Sequence, residues 1–219
     1  MSTVQIIQGN FDITDPSWPR LQIWVPGKVF TSDDFSTAGD PIGRKTGAEL
    51  GGTPVDFLGP AGSWNASSGE LVNTGSNGSV LLEALGGDYE TSVKIKSFAV
   101  TGSVLVIARR TSVDYHANIS QLRVEVNNAG DITLRQQLDG TLSVIGTSPA
   151  AVSVGDTVAI RVAGTSVAAL VNDQIVAEAE TPVTGTGYAG LATSRVNTDS
   201  VVDDLILRAL PVKVVNEHE

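Results

Sequence analysis

Residues 156–180 read DTVAIRVAGTSVAALVNDQIVAEAE. In the first part of this stretch, Val158, Ile160 and Val162 alternate with polar or small residues. Successive side chains of a β-strand point to opposite faces of a sheet, so this alternation buries one face and exposes the other. The Gly-Thr pair in the middle and the Asn-Asp pair at 172–173 are turn sequences. The stretch therefore predicts three antiparallel strands joined by tight turns.

The same alternation extends upstream. Residues 122–126, LRVEV, carry their apolar side chains on one face, and residues 127–131, NNAGD, are a turn sequence between two strands. The Asp-Gly pair at 139–140 is a strong hairpin signal. A parallel sheet would need helical crossovers, for which the sequence shows no periodicity. Residues 122–180 are therefore predicted to form an antiparallel meander within an all-β, two-sheet antiparallel sandwich.

The composition excludes several classes of protein. The chain has 219 residues, 41% of them hydrophobic, which allows one all-β domain with appendages or two small domains. Cysteine is absent, so a disulfide framework, a thiolate zinc site and a cysteine nucleophile are excluded. The formal net charge is −10 and the 14 basic residues are scattered, so no nucleic-acid partner is expected.

The N-terminal sequence shows no targeting signal. Residues 1–8, MSTVQIIQ, contain neither the basic segment nor the apolar segment of a signal peptide. No apolar run approaches the roughly 20 residues that a membrane-spanning helix needs. We therefore expect a protein that is made as a soluble cytoplasmic chain and does not insert into a membrane.

An aromatic segment precedes the regular strand pattern. Phe11, Trp18 and Trp24 lie in a stretch that is broken by three prolines. Two interpretations stay open for this segment. It is either a strand that packs across the sandwich, or an extended arm whose aromatic side chains are buried by another subunit.

Candidate catalytic groups are sparse. Of the two histidines, His218 lies near the C-terminus and His116 stands alone among polar neighbours. The Gly-x-Ser-x-Gly motif of serine hydrolases is absent. Sandwich-fold glycosidases need two carboxylates on one strand face, and the tightest such pair, Glu178 and Glu180, is typical of a solvated strand end. The sequence therefore predicts a protein that is not an enzyme.

Aspartates supply the candidate metal ligands. Asp33 and Asp204 each belong to an adjacent pair of aspartates, and carboxylate oxygens are the ligands that Ca²⁺ prefers. Adjacent strand residues point to opposite faces, so each pair offers one side chain to a given site. No EF-hand loop occurs. No cofactor is predicted, and Ca²⁺ is the ion that Asp33 and Asp204 would hold.

Short motifs follow one another in a fixed order along the chain. They lie at residues 33–35 (DDF), 41–43, 62–71 (GSWNASSGEL), 104–110, 156–164, 171–176, 187–191 (GYAGL) and 202–205. This succession resembles the concanavalin A-like (laminin-G-like) jelly-roll domain over roughly residues 31–210. The resemblance implies that the first and last strands of the domain pair and that Trp64 fills its core. The chain then divides into an arm at 1–30, the jelly roll, and a C-terminal tail at 211–219.

The resemblance also implies a function. The family includes lectins, glucanases and non-catalytic modules, and the strand-borne catalytic carboxylates of the glucanases have no counterpart in this sequence. The chain contains no cysteine, is rich in Gly, Thr, Val and Ala, and has a short segment before the jelly roll. In these features it is similar to bacteriophage minor tail and decoration proteins, which implies a structural protein of the virion. Phe11, Trp18 and Trp24 would then contact other virion proteins, and homo-oligomers are compatible with this assignment.

A glycan of the host cell surface is the ligand that the resemblance allows. Arg109, Arg110, Tyr115 and His116 are the residues predicted to contact it. Two alternatives stay open: a stand-alone carbohydrate-binding module or lectin, and, less favoured, a glycoside hydrolase of the same fold.

Overall fold

The computed structural model of the protein describes residues 22–25, 27–59, 64–73, 78–84, 86–98, 102–114, 118–149, 151–194, 200–210 and 212–215. These residues contain sixteen β-strands and no helix. The strands are β1 (Gln22–Val25), β2 (Val29–Asp33), β3 (Trp64–Ser67), β4 (Glu70–Asn73), β5 (Ser79–Glu83), β6 (Tyr89–Ser97), β7 (Ser103–Arg110), β8 (Gln121–Asn127), β9 (Ile132–Leu138), β10 (Thr141–Ser148), β11 (Thr157–Ala163), β12 (Ser166–Val171), β13 (Gln174–Glu180), β14 (Tyr188–Ser194), β15 (Val201–Ala209) and β16 (Val212–Val215). The described residues include no helix long and apolar enough to span a membrane.

Two antiparallel sheets form a β-sandwich. The six-stranded sheet has the order β10-β9-β8-β7-β14-β5. The eight-stranded sheet has the order β13-β12-β11-β6-β15-β4-β3, and β2 also pairs with β15. The predicted all-β, two-sheet antiparallel sandwich is confirmed. The single meander predicted over residues 122–180 is instead two three-stranded meanders, β8–β10 in the six-stranded sheet and β11–β13 in the eight-stranded sheet, because the chain changes layer between β10 and β11.

One apolar core fills the space between the sheets. Val158, Ile160 and Val162, which the sequence placed on a single face of β11, are all fully buried in this core. Trp64 is buried in the same core, as the resemblance implied. The predicted pairing of the first and last strands of the domain is also observed, with Asp33 of β2 opposite Leu205 of β15.

Tight turns connect the strands of the meander. Asp139 and Gly140 both have positive φ angles, 46° and 85°, between the paired residues of β9 and β10. Asn172 and Asp173, in the turn between β12 and β13, also have positive φ angles, of 49° and 65°. Positive φ at both central residues is the requirement of a type I′ hairpin, which Asn and Asp tolerate without glycine.

The chain is divided into two compact units. The larger unit comprises Gly27–Leu210, and the main-chain N–H of Ala209 donates a hydrogen bond of 2.9 Å to the carbonyl of Lys28. The smaller unit comprises Met1–Pro26 and Pro211–Glu219, within which β1 and β16 pair antiparallel. Phe11 and Trp18 lie outside the described residues, and the backbone of Trp24 lies in β1.

Candidate functional site

The six-stranded sheet has one face in the core and one outer face. On β8, Val124 belongs to the core, so Arg123 and Glu125 point to the opposite side. We call that surface the outer face. Its side chains include Leu142 and Val144 on β10, Thr133, Arg135 and Gln137 on β9, Gln121, Arg123 and Glu125 on β8, Ser103, Leu105 and Ile107 on β7, Tyr188 and Ala192 on β14, and Ser79, Leu81 and Glu83 on β5.

Charged side chains form a strip along β8 and β9. Arg123 lies directly opposite Arg135 in the register of the two strands. Glu125 Oε2 lies 3.4 Å from Arg123 Nη2 and 2.9 Å from Arg135 Nε. Glu125 Oε1 accepts a hydrogen bond of 3.1 Å from the hydroxyl of Ser103. One carboxylate therefore pairs with two guanidinium groups, and the three side chains keep between 15% and 28% of their surface exposed.

A pair of amides continues the strip in the next row. Gln121 Nε2 donates a hydrogen bond of 2.8 Å to Gln137 Oε1, and Gln137 Nε2 donates one of 3.3 Å to the carbonyl of Gly140. Gln121 Oε1 is buried and accepts no hydrogen bond from the described residues. A buried acceptor without a donor costs free energy.

An apolar patch lies beside the polar strip. Leu81, Leu105, Ile107 and Ala192 are buried and form a cluster that is separate from the main core. Tyr188 and Leu58 are half-buried and pack against this cluster. The members of the cluster are at most 6% exposed, so only Tyr188 and Leu58 leave apolar surface open on this side of the polar strip.

A cleft opens where the outer face meets the edge strand β5. Its volume is about 290 Å³, and its lining includes Lys45, Asp56, Leu58 and Glu83. Glu83 lies directly opposite Tyr188 in the register of β5 and β14, so the aromatic ring and the cleft are adjacent. Leu58 pairs with Leu81 through two main-chain hydrogen bonds of 2.9 Å, which fix the position of the cleft wall. The cleft therefore extends the outer face beyond the patch.

Gly190 allows the backbones of β14 and β5 to approach each other closely at the centre of the patch. It lies between Ile107 and Leu81 in the register, with φ at +149°. A Cβ atom at this position would lie 2.1 Å from the carbonyl oxygen of Val80. Glycine is therefore required here.

The side chain of Arg109 is buried inside the sandwich and contacts main-chain carbonyl groups of the protein itself. It is 2% exposed, and its guanidinium group donates hydrogen bonds to the carbonyls of Gly87, Gly164 and Val183. The register of β7 against β14 shifts between Tyr188 and Gly190, and Arg109 has a φ of +50°. This irregularity turns Arg109 away from the outward orientation expected from the sequence.

The other predicted ligand contacts do not lie together among the described residues. Arg110 is 4% exposed, and its guanidinium group donates hydrogen bonds to the carbonyls of Ser112 and Val113. Tyr115 and His116 lie outside the described residues.

The glutamate pair considered for a glycosidase lies on an edge strand. Glu178 and Glu180 are both exposed on β13, which is the edge of the eight-stranded sheet. This edge is in the sheet opposite to the one that carries the outer face. The pair therefore contributes no group to the outer face.

Asp33 is a buried carboxylate with its hydrogen-bonding capacity filled. Oδ1 accepts hydrogen bonds from Phe35 N and Arg44 Nη2, and Oδ2 accepts them from Arg44 Nη1 and Gly47 N. Asp34 and Glu49 lie close enough to form an acidic group with Asp33 that could hold a cation. A cation bound there would compete with Arg44 for Asp33.

Asp204 does not belong to that acidic group. It lies on β15 with a φ of +52°, at an irregularity in the pairing with β6. Burial, together with the neighbouring charge of Asp203, raises the pKa of the Asp204 carboxyl. Lys94 Nζ, at 3.9 Å, is its nearest ion-pair partner among the described residues. The structure therefore does not bring Asp204 into one cation site with Asp33.

The sequence contained a partial signal for the outer face. Arg123 and Glu125 alternate with valines in LRVEV, and the turn at 127–131 brings β9 alongside. A search for polar side chains on the solvent side of this hairpin would have found them. Tyr188 and Glu83 come from strands that are distant in sequence, and no local pattern joins them.

Comparison with known proteins identifies the fold. No family model matches the chain, and no curated protein sequence matches it. Among solved structures, a Bacillus subtilis protein of unknown function with a galectin-like fold has a TM-score of 0.58 and 7% identity, covering 88% of this chain and 100% of that chain. SCLam, a non-specific endo-β-1,3(4)-glucanase from family GH16, has a TM-score of 0.54 and 12% identity, covering 86% and 98%.

A third similar structure belongs to the same group of folds. LamAcat from Zobellia galactanivorans has a TM-score of 0.53 and 12% identity, covering 83% of this chain and 97% of that chain. At these identities the similarity shows the jelly-roll fold alone. None of the three is described as a virion protein, so the phage assignment gains no support from them.

Proposed function

We propose that the protein binds carbohydrate on the outer face of the six-stranded sheet and does not hydrolyse it. A sugar ring presents hydroxyl groups along its edge and apolar C–H groups on its faces. A binding surface for it therefore needs planar polar side chains next to an apolar, preferably aromatic, surface. The outer face offers the planar polar side chains of the strip, the exposed apolar side chains of Leu142 and Val144 on β10 directly beside it, and the half-buried ring of Tyr188. This juxtaposition is the observation that carries the proposal.

The polar strip matches the hydroxyl groups of a glycan. Guanidinium and amide groups donate several hydrogen bonds in fixed planar geometry. Tyr188 lies across the patch from the strip and is half-exposed, so its ring is available for contact with a sugar face.

The arrangement of carboxylates argues against hydrolysis. A retaining glycosidase holds two carboxyl groups about 5–5.5 Å apart, and an inverting enzyme holds them about 6.5–9.5 Å apart. On the described outer face, Glu125 and Glu83 lie on β8 and β5, three strand spacings apart, or roughly 14 Å at ~4.8 Å per strand. Both oxygens of Glu125 are moreover engaged, one by two arginines and the other by the hydroxyl of Ser103.

The similar structures support the same class of ligand. The SCLam structure was determined with a β-1,3-linked glucose oligosaccharide at its active site. Fold similarity alone is weak support for function, so the argument rests on the side chains of the outer face.

The test is binding to an array of soluble polysaccharides, followed by calorimetric titration with each polysaccharide that binds. We expect Tyr188→Ala to weaken binding about tenfold, which corresponds to roughly 1.4 kcal/mol. Val154→Ala, at a side chain that is 62% exposed outside the outer face, is the control and should bind as the wild type does. Reducing-sugar release from the same polysaccharides should stay at background. Hydrolysis that Glu125→Gln abolishes, or an absence of any binding, would refute the proposal.

A further inference from the structure

Four edge strands of the described sandwich are covered or charged. Main-chain hydrogen bonds join β3 to Gly39, β5 to Leu58, and β2 to both Ala48 and Thr53. The edge strand β13 carries two exposed glutamates. Edges that are covered or that carry charged side chains do not pair readily with a strand of another chain.

The remaining edge strand, β10, is neither covered nor charged. No main-chain hydrogen bond of the described residues reaches its free edge. Its sequence, TLSVIGTS, contains no charged residue and no proline, and its regular part ends at a bulge between Val144 and Gly146. Leu142 and Val144 are 42% and 50% exposed. An uncharged edge with exposed apolar side chains is a site for pairing with another strand.

The main-chain groups of Leu142 and Val144 point to this free edge. Thr141 pairs with Leu138 and closes a two-residue hairpin, in which the closing residues direct their N–H and C=O groups toward each other. These groups alternate in direction along an antiparallel strand, so those of residues 142 and 144 point away from β9. The same two residues therefore offer hydrogen-bonding groups and apolar side chains to one partner strand.

We propose that β10 pairs antiparallel with β10 of a second copy of the chain, about a two-fold axis at Ser143. In this register Leu142 of each copy lies opposite Val144 of the other, so both exposed apolar side chains gain an apolar cross-strand neighbour. The pairing closes the free edge of both copies at once and joins their six-stranded sheets into one continuous sheet.

Charge favours a second copy as the occupant of this edge. The chain has a formal net charge of −10, so two copies repel each other wherever their acidic surfaces meet. The eight residues of β10 carry no charge, and their self-pairing therefore places no like charges opposite each other. The inference stands on the strand edge and does not depend on carbohydrate binding.

Sedimentation velocity of the full chain, at concentrations from about 2 to 400 μM, measures the association. We expect a monomer–dimer equilibrium with a dissociation constant of roughly 10–100 μM, as is typical of a small interface. Added NaCl should tighten the dimer, because salt screens the repulsion between two acidic copies.

Variants test the strand and its register. Leu142→Lys and Val144→Glu should each weaken the dimer at least tenfold, because each places a charge in an apolar pair. Mixed in equal amounts, the two variants should form a heterodimer, since the register places the new lysine opposite the new glutamate. Leu50→Lys, at a side chain that is 42% exposed in the loop beside β2, is the control and should dimerise as the wild type does. Thermal melting verifies that each variant is folded.

The outcomes separate this inference from the proposed function. A chain that is monomeric at every concentration would overturn the inference and leave carbohydrate binding intact. A dimer that neither variant weakens would also overturn it, because the interface would then lie elsewhere. A mixture of the two variants that stays monomeric would refute the two-fold register at Ser143. A dimer that binds no polysaccharide would overturn the proposed function alone.

Discussion

The main-chain N–H of Arg109 donates a hydrogen bond of 2.6 Å to the phenolic oxygen of Tyr89, and this bond joins the two layers of the sandwich. Tyr89 begins β6 of the eight-stranded sheet, and Arg109 lies near the end of β7 of the six-stranded sheet. Both residues are buried. Because Arg109 also donates to carbonyls of three separate loops, the pair fixes one end of the sandwich.

Tyr89 should make stability depend on alkaline pH. Its burial raises the pKa of its phenol from 10.0 to about 12. A pKa that is higher in the folded state gives stability that is present below pH 10 and is lost as pH rises through about 12. We expect a loss of roughly 2–3 kcal/mol over this window from Tyr89. Urea unfolding from pH 8 to 11.5 measures it, with Tyr188→Phe as the control. An unchanged pH dependence in Tyr89→Phe would contradict the prediction.

Glu90 should be essential for stability. It is fully buried on the outer side of the eight-stranded sheet, and each of its oxygens accepts two hydrogen bonds from one arginine, Arg161 or Arg208. Glu90→Gln would remove the carboxylate that pairs with Arg161 and would leave Arg208 with the exposed Asp173 as its remaining ion-pair partner among the described residues, at a cost of about 3 kcal/mol or more. Asp173→Asn removes an exposed partner of Arg208 and should cost less than about 1 kcal/mol. Equal losses in chemical denaturation would refute this difference.

Replacing the carboxylate at position 204 should stabilise the protein at neutral pH. The raised pKa of Asp204 means that its ionised form is disfavoured in the folded state, so stability from this group is present below about pH 3.9 and lost as pH rises. Asp204→Asn removes the charge and keeps a residue that tolerates the positive φ. We expect a higher melting temperature at pH 7 and a difference that vanishes near pH 3. A lower melting temperature at pH 7 would be inconsistent with this account.

Gly190→Ala should destabilise the six-stranded sheet. A methyl group would lie 2.1 Å from the carbonyl oxygen of Val80, at a φ of +149° that alanine avoids. We expect a loss of about 2 kcal/mol or more in urea unfolding. Gly86→Ala, where a Cβ meets nothing within 4 Å, should be neutral or slightly stabilising. Similar effects of the two substitutions would show that the backbone contact at Gly190 can relax.

Ca²⁺ should not change the melting temperature. Each oxygen of Asp33 already accepts two hydrogen bonds, and Arg44 supplies one to each. An ion bound beside Asp34 and Glu49 would have to displace that guanidinium group. We expect equal melting temperatures in 5 mM CaCl₂ and in EDTA. A ligand that binds only the folded state raises the melting temperature, so an increase that Glu49→Gln removes would contradict the prediction.

The strand pattern was predictable because it is local. The alternation of Val158, Ile160 and Val162 determines which face of β11 enters the core, and hairpin turns such as the one at 172–173 determine which strands pair next. The jelly-roll resemblance added the pairing of β2 with β15, which local sequence does not contain.

Departures from regular alternation were not predictable. Arg109 has a positive φ in β7, and this departure from regular strand conformation changes the direction of its side chain. Asp204, the second of two adjacent aspartates in β15, also has a positive φ and lies at a register shift. Neither position carries a glycine or a proline that would reveal it. Arg109 and Arg110, which were predicted from the sequence to contact a ligand, are buried and donate hydrogen bonds to main-chain carbonyls, whereas Arg123 and Arg135 were not selected. The virion assignment and the domain boundaries stay predictions.

The hydrogen bond between Ala209 and Lys28 brings the start and the finish of the larger unit to one point. A domain whose termini are adjacent can be inserted into a surface loop of another protein without separating the two ends of that loop. Its chain can also be circularly permuted, with new termini at the tip of a hairpin. The larger unit is therefore suited to insertion into other proteins and to circular permutation, since neither change alters the order of the strands within its sheets.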